Sequence, residues 1–344
     1  MRSFAVSFLL LAACSQSFTS ESDASVATPD GSSTIADDAG LDAGRSTPRS
    51  ACSLESGASF VEGCFCRSPL VARGDYLYVQ SQALHVLSRE DLREVNRVDE
   101  RPSAQGGLVH VGGNHLVSAV DFEEPPLRVY ALDDPAEPRF VGGFGSDTHG
   151  AITAFGDDVL VTRLQGETAT LVLYDLSRPS TPRERFAVAL EGDPLAIALS
   201  EARVFVIEAL GSPRERSTLR VLDRDGVERG RLELESAPFQ AAALWHAPDL
   251  YLAGFGAVVT RVGFEGDDPF VAATTGTSEG LGGALAFVGD LLVGGHPLGV
   301  FEGPSLRPLE VAFERGSAQN LVVSGGTLFA SSGGSVTELR LACE

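Results

Sequence analysis

The chain has 344 residues, 47 of them acidic and 26 basic, for a net charge of −21, and every basic residue is arginine. An acidic surface of this kind repels nucleic acid and anionic headgroups, which argues against both as partners. The length suffices for a large core in a single domain of repeated units.

Positions 1–14 read MRSFAVSFLLLAAC: Arg2 gives a positive end, and Phe4 to Ala13 is apolar except for Ser7. Such a run is too short to cross a bilayer as a permanent helix, which takes roughly 20 residues, so residues 1–13 read as a cleaved signal peptide. Leu11-Ala12-Ala13-Cys14 resembles the lipobox of bacterial lipoproteins. The resemblance implies cleavage before Cys14 and lipidation of Cys14, palmitate included; the alternative is an ordinary secretory signal with an incidental cysteine. By the same resemblance, Ser15 in place of the Asp of retained lipoproteins points to the outer rather than the inner membrane. The protein would then be exported, held by its lipid, and would face the periplasm or the cell surface.

Residues 14–50 hold the lipid-bearing cysteine and a stretch rich in Ser, Thr, Asp, Ala, Gly and Pro. This composition cannot bury enough apolar surface to offset ordering, and it predicts a disordered tether. A flexible coil of about 36 residues would hold the domain roughly 30 Å from the membrane. The domain itself is assigned to residues 51–344.

Removing Cys14 from the five cysteines leaves Cys52, Cys64, Cys66 and Cys343, an even number in an exported chain where disulfides persist. Cys64 and Cys66 are too close to be comfortable partners. The expectation is that Cys343 bridges back to Cys66 or Cys64 and that Cys52 takes the other. Zinc is the minor alternative, since Cys64-Phe65-Cys66 is tighter than usual ligand spacing and no His pair follows.

From Pro69 onward a turn followed by a short apolar strand recurs at Gly74, Gly113, Gly156, Glu201, Ala247, Val288 and Gly325, 37 to 46 residues apart. A strand with small or apolar residues precedes each turn, and two more strands follow it. Four short strands in such a period is the spacing of a β-propeller blade. The fold class is therefore all-β, a propeller of seven four-stranded antiparallel blades; six follow if one repeat is miscounted. The last repeat runs out after three strands at Leu341-Ala342-Cys343, and Ala58-Ser59-Phe60-Val61 can supply the fourth. The charged segment Arg89–Arg101 has Leu92, Val95 and Val98 at helical spacing, but the repeat makes it a turn plus a fourth strand.

Tyr130-Ala131-Leu132-Asp133-Asp134-Pro135-Ala136-Glu137-Pro138 resembles the strand and acidic-Pro-x-x-Pro turn of LVIVD-repeat propellers. Tyr174-Asp175-Leu176-Ser177-Arg178-Pro179-Ser180-Thr181-Pro182 is similar, whereas Arg220-Val221-Leu222-Asp223 is a degenerate copy and the last three repeats depart from the pattern. The resemblance implies a fold of bacterial surface and extracellular proteins, mostly without an assigned activity; it does not imply a catalytic site.

Gly276-Thr277-Ser278-Glu279-Gly280 matches the G-x-S-x-G elbow of serine hydrolases, but it leads into a strand, and Asp290 and His296 belong to one hairpin. His85, His110, His115, His149, His246 and His296 include no short metal pair. Asp223-Arg224-Asp225-Gly226 starts like a calcium loop without the later carboxylates and fits a tight hairpin turn better. Asp121, Glu123 and Glu124 form a weak acidic bulge. Trp245 is the single Trp, so a quinone propeller does not fit, and a sialidase Asp-box is missing. No catalytic residue, metal ligand or cofactor is predicted. Gln105, His149, Asp193, Gln240, Glu279 and Gln319 occupy equivalent positions leading into innermost strands, and they are the candidate binding residues at a channel mouth.

The reading that results is a non-catalytic binding or scaffold protein of the cell envelope with an envelope protein as partner. The alternatives are a structural subunit of an envelope complex, and a propeller hydrolase or lactonase with a metal at the channel mouth.

Overall fold

Short apolar runs broken by Gly, Asp and Pro leave no stretch for a helix, and among the described residues every regular element is a β-strand. The computed structural model describes residues 51–343 apart from 62–68, 82, 99–106, 121–124, 167, 212–215, 235–241, 255–257, 277–283, 295–297, 313–317 and 333–334. The segments expected to be a signal peptide and a tether, with Cys14, lie outside these residues, as do Cys64 and Cys66.

The N-terminal strand, β1 (Ala51–Val61), does not pair with its neighbours in sequence. After it come five sheets of four strands each, paired in chain order. The first holds β2 (Leu70–Arg73), β3 (Tyr76–Gln80), β4 (Leu84–Ser88) and β5 (Glu94–Val98). The second holds β6 (Leu108–Val111), β7 (His115–Ala119), β8 (Leu127–Ala131) and β9 (Arg139–Phe144). The third holds β10 (Thr148–Phe155), β11 (Asp158–Gln165), β12 (Thr168–Asp175) and β13 (Arg183–Ala189). The fourth holds β14 (Asp193–Leu199), β15 (Arg203–Leu210), β16 (Arg216–Asp223) and β17 (Glu228–Leu234). The fifth holds β18 (Ala242–His246), β19 (Asp249–Gly254), β20 (Val258–Glu265) and β21 (Asp268–Gly276).

The rest form two further quartets fused into one eight-stranded sheet. Its members are β22 (Leu285–Val288), β23 (Leu291–Gly294), β24 (Gly299–Glu302), β25 (Arg307–Ala312), β26 (Asn320–Ser324), β27 (Thr327–Ser332) and β28 (Ser335–Cys343), with β1 between β25 and β28. The seven recurring turns of the sequence fall between first and second strands, Val288 closing β22 just before its Gly289-Asp290 turn. Arg89–Asp91 is a turn and β5 follows it, so the repeat overrides the local helical spacing.

The first strands of successive quartets neighbour one another in closed order: β2, β6, β10, β14, β18, β22, β26 and back to β2. Small side chains suit this crowded line, and Ala72, Ala151, Ala196, Ala243 and Ala286 are buried on it. Each pair of adjacent quartets shares an apolar cluster, seven among the described residues. The fold is thus all-β and propeller-like, with its core lying between sheets.

A leucine just past the third strand recurs as a plug. Leu92, Leu132, Leu176 and Leu306 are each 2% exposed or less, and each packs against the preceding quartet. Leu92 meets Val322 and Phe329, Leu132 meets Val71 and Tyr78, Leu176 meets Val109 and Val117, and Leu306 meets Leu244 and Tyr251. Leu92 and Leu306 take this position at φ 54° and 52°, unusual for a branched side chain, and their N–H groups donate to Ser88 O and Glu302 O. The Asp133–Pro138 turn adds a polar latch, since Tyr78 Oη donates to Pro135 O (2.8 Å) and Asn96 Nδ2 to Ala136 O (2.8 Å) across the same boundary.

In the fourth quartet Arg224 stands where Leu176 stands in the third, one residue past the Asp that ends the third strand. Its guanidinium reaches back to Asp158 of the preceding quartet, which also accepts from Arg185 Nη1 at 2.9 Å. Burial pulls the Arg224 pKa below its ordinary value, and Asp158 opposes that shift. The turn itself is closed by Asp223, whose Oδ1 accepts from Asp225 N (3.0 Å) and Val227 N (2.9 Å), while Oδ2 holds Arg229. Gly226, at φ 82°, lies against the Phe186 ring, so a side chain there would be both strained and obstructed. This Asp is consumed by its own turn, consistent with the hairpin reading and not with a calcium loop.

Closure of the ring falls to β1. It pairs antiparallel with β28 from Cys52↔Cys343 to Val61↔Ser335, and parallel with β25 over Ala51–Ser53. The segment Ala58–Val61 does join the last quartet as expected, but the strand starts earlier because Cys52 and Leu54 alternate into the core. The disulfide corrects the expected pairing: Cys52 is bonded to Cys343, with Cα atoms 4.0 Å apart, and neither Cys64 nor Cys66 takes Cys343. The reason is register, which sets Cys52 directly opposite Cys343. Bridging residues 291 apart in sequence contributes about 2–5 kcal/mol, chiefly by restricting the unfolded chain.

The plug positions carry a prediction. Leu176→Ala lowers stability by about 3 kcal/mol, whereas Arg224→Leu is neutral or stabilising by up to about 2 kcal/mol, because an apolar residue replaces a half-paired buried charge. Asp158→Ala, which strands that charge, costs about 3 kcal/mol. Urea unfolding of the three variants against the parent checks the order.

Candidate functional site

The first strands run toward their hairpin turns, so their leading ends share one end of the ring, the mouth. Asp193 opens β14 and is exposed, Gln319 directly precedes β26 and is exposed, and His149 lies in the leading part of β10. The backbone N–H of Gln319 donates to Ser331 O at 2.8 Å. Each of these three candidate binding residues thus stands at or next to the start of a first strand. Gln105, Gln240 and Glu279 lie outside the described residues, as do Asp121, Glu123, Glu124 and His296.

Beneath the leading ends the far ends of the second strands form a collar of buried polar side chains, which sequence reasoning missed. Gln80 Nε2 donates to Ser118 Oγ (2.6 Å) and Ala119 O (3.2 Å), bridging two sheets. Thr162 Oγ1 accepts from Ala151 N at 2.6 Å, inside the β10 irregularity between His149 and Ile152. Asn320 Nδ2 donates to Ser331 Oγ at 3.0 Å. The signal was present as a polar residue near the end of the second strands β3, β7, β11, β15 and β27, with none in β19 or β23.

Glu208 is the most buried charge of the collar. Its Oε2 accepts from Glu191 N (2.9 Å) and Gly192 N (3.1 Å), fixing the turn that leads into Asp193, and its Oε1 accepts from Arg220 Nη1 at 2.8 Å. Arg220 also donates from Nε to Glu228, and Arg231 bridges Glu228 to Glu191. Burial works against the Arg220 charge, but the hydrogen bonds and charges of Glu208 and Glu228 outweigh it and raise its pKa. The network is a set of mutually satisfied charges that positions a mouth loop.

A second arrangement has the form of a nucleophilic triad. Ser81 Oγ lies 3.1 Å from His85 Nε2, and His85 Nδ1 lies 2.7 Å from Glu94 Oε1. Since the carboxylate only accepts, a neutral His85 carries its hydrogen on Nδ1 and accepts from the serine hydroxyl, the polarity a nucleophile needs. Both Ser81 and His85 are only 1% exposed, and the Phe60 ring of β1 sits 5.5 Å from the imidazole. Ser81 and His85 are sealed from solvent while Glu94 stands at the exposed end of the chain of bonds, which satisfies a buried imidazole at both nitrogens. Spacing in sequence could not reveal it, because the fourth strand brings Glu94 to His85 across a register shift.

Two further histidines make specific side-chain contacts. His110 Nε2 lies 2.8 Å from Arg73 Nη1, and burial, reinforced by that guanidinium, lowers its pKa to about 4. His246 stacks on Phe287 with centroids 3.9 Å apart, and burial lowers its pKa as well. Among the described residues no three His, Cys, Asp or Glu side chains converge in a way that could hold a metal ion. No protein-family model and no curated protein matches this chain.

Two outcomes test these assignments. A fluorophosphonate probe leaves Ser81 unmodified in the native protein, and Ser81→Ala lowers stability by about 1–3 kcal/mol; a mass adduct on Ser81 would falsify the sealed reading. His110, neutral in the fold and depressed to about 4, contributes stability that is complete above its unfolded pKa near 6.5. That stability declines as pH falls from there through 4, by up to about 3 kcal/mol. Denaturation midpoints between pH 7 and 4 should show this slope, and His110→Gln should flatten it.

Proposed function

We propose that this chain is an exported, lipid-anchored protein of the cell envelope whose domain is a seven-bladed β-propeller acting as a non-catalytic binding or scaffold module. The observation that carries the reading is the closed order of seven first strands, with β1 completing the last quartet. A propeller offers one end of its ring as a rim of loops, the usual seat of recognition in such scaffolds. The lipobox resemblance at Leu11–Cys14 supplies the anchor, and the acidic-Pro-x-x-Pro turns supply the likeness to LVIVD-repeat proteins. A structural disulfide belongs to oxidising compartments, which agrees with export.

The state of the polar groups favours recognition over bond-making. The collar side chains are engaged by neighbouring side chains and backbone, Glu208 holds the loop before Asp193, and Ser81 and His85 are buried. Asp193, His149 and Gln319 remain the candidates for contacting a ligand or partner at the mouth. A second reading, a structural subunit of an envelope complex, draws on Phe140 (54% exposed) on β9 and on Phe270 (41%) and Val271 (49%) on β21, all outermost strands.

The test is metabolic labelling with an alkyne palmitate in a bacterial host, followed by membrane pull-down of the parent and of Cys14→Ala. The parent should take up label and sediment with membranes, and the variant should lose both. Label of equal strength in the two proteins, or in neither, rules out the anchor. A stoichiometric partner co-purifying with the parent moves the assignment to the subunit reading.

A further inference from the structure

We propose that the Cys52–Cys343 bridge is a mechanical clamp, placed so that tension arriving through the N-terminal segment cannot peel the strand that closes the ring. The proposal rests on the tether reading for its biological setting, but its geometry lies wholly within β1, β25, β27 and β28.

Any pull on residues before Ala51 acts on the first residue of β1. On one side β1 is held parallel to β25 by only three pairings, Ala51↔Glu310 to Ser53↔Ala312. On the other it is held antiparallel by β28, a ladder interrupted by an irregularity between Ser56 and Ser59. A strand pulled from one end across its ladder breaks its hydrogen-bonded pairs one after another, so each weak pair resists alone. Peeling would begin at Cys52↔Cys343, the first antiparallel pair, and that pair is the one made covalent.

The load then passes into β28. Its pairing with β27 reaches only from Ser335 to Leu339, so Arg340–Cys343 pair with β1 and not with β27. With the bridge intact, β1 cannot leave without β28, and the pair must come away from β25 and β27 together. Cys52 (4% exposed) and Leu54 (3%) are anchored in the cluster shared by the last two quartets, which adds the burial of their side chains to the resistance. A bridge elsewhere along β1 would leave the loaded end free to fray.

Optical-trap pulling on the folded domain tests this, with handles on azide-bearing residues introduced at Asp30 in the N-terminal segment and at Glu201 in the exposed β14–β15 turn. The native protein should show no extension step before global unfolding. After reductant is added to the folded protein, and in Cys343→Ser, an early step on the order of 50 Å should appear at lower force, matching release of β1 and the residues up to β2. The reductant arm keeps the test decisive if Cys343→Ser does not fold. An early step in both the oxidised and reduced protein, or in neither, overturns the clamp. Because the handle replaces the lipid, a failure of Cys14 labelling leaves this result standing.

Discussion

The structure depends on one constraint: every quartet of strands is apolar on both faces and has to be covered on both. A sheet with two buried faces cannot end a stack, so the quartets close on themselves, and each core cluster is a boundary between neighbours. The small residues of the first strands and the leucine plugs both answer this demand. The small residues sit where the sheets crowd, and the leucines fill the gaps where the sheets diverge at their turns. Closure then concentrates the burden on a single place, where the two ends of the chain meet at β1 and β28.

Where the pattern is broken, the break is compensated locally. Arg224 in a plug position would be an unpaired half-buried cation, and Asp158 of the neighbouring quartet supplies the carboxylate. Glu208, buried near the mouth, meets two backbone donors and an arginine. His85 is buried with a partner at each nitrogen. Such pairing commits these polar groups to architecture, which accords with the proposed function.

Much of this architecture was legible in the sequence, because turn residues and strand alternation are local signals. The seven turns, the override of the helical spacing at Arg89–Arg101 and the recruitment of Ala58–Val61 all came from the period. Features set by register were not legible. Which cysteine meets Cys343 depends on where β1 begins, and a Ser- and Gly-rich strand from Ser53 to Ser59 hides its own start. The Ser81–His85–Glu94 chain depends on a register shift, and the Gln80–Ser118 bond on which sheet faces which. For the candidate binding residues, the sequence assigned positions by repeat alignment, and His149, Asp193 and Gln319 lie at or just before the starts of their first strands.

The closing strand also sets an order of events during synthesis. β1 is the first of the described strands to be made, yet both of its neighbours, β25 and β28, are among the last of them. For most of the chain's elongation Cys52 therefore has Cys64 and Cys66 within reach and Cys343 does not yet exist. The native bridge can form only after Cys343 has been made, so a chain cut short before that residue cannot acquire it. Premature bonds among the three early cysteines are the corresponding hazard, and their repair falls to thiol exchange.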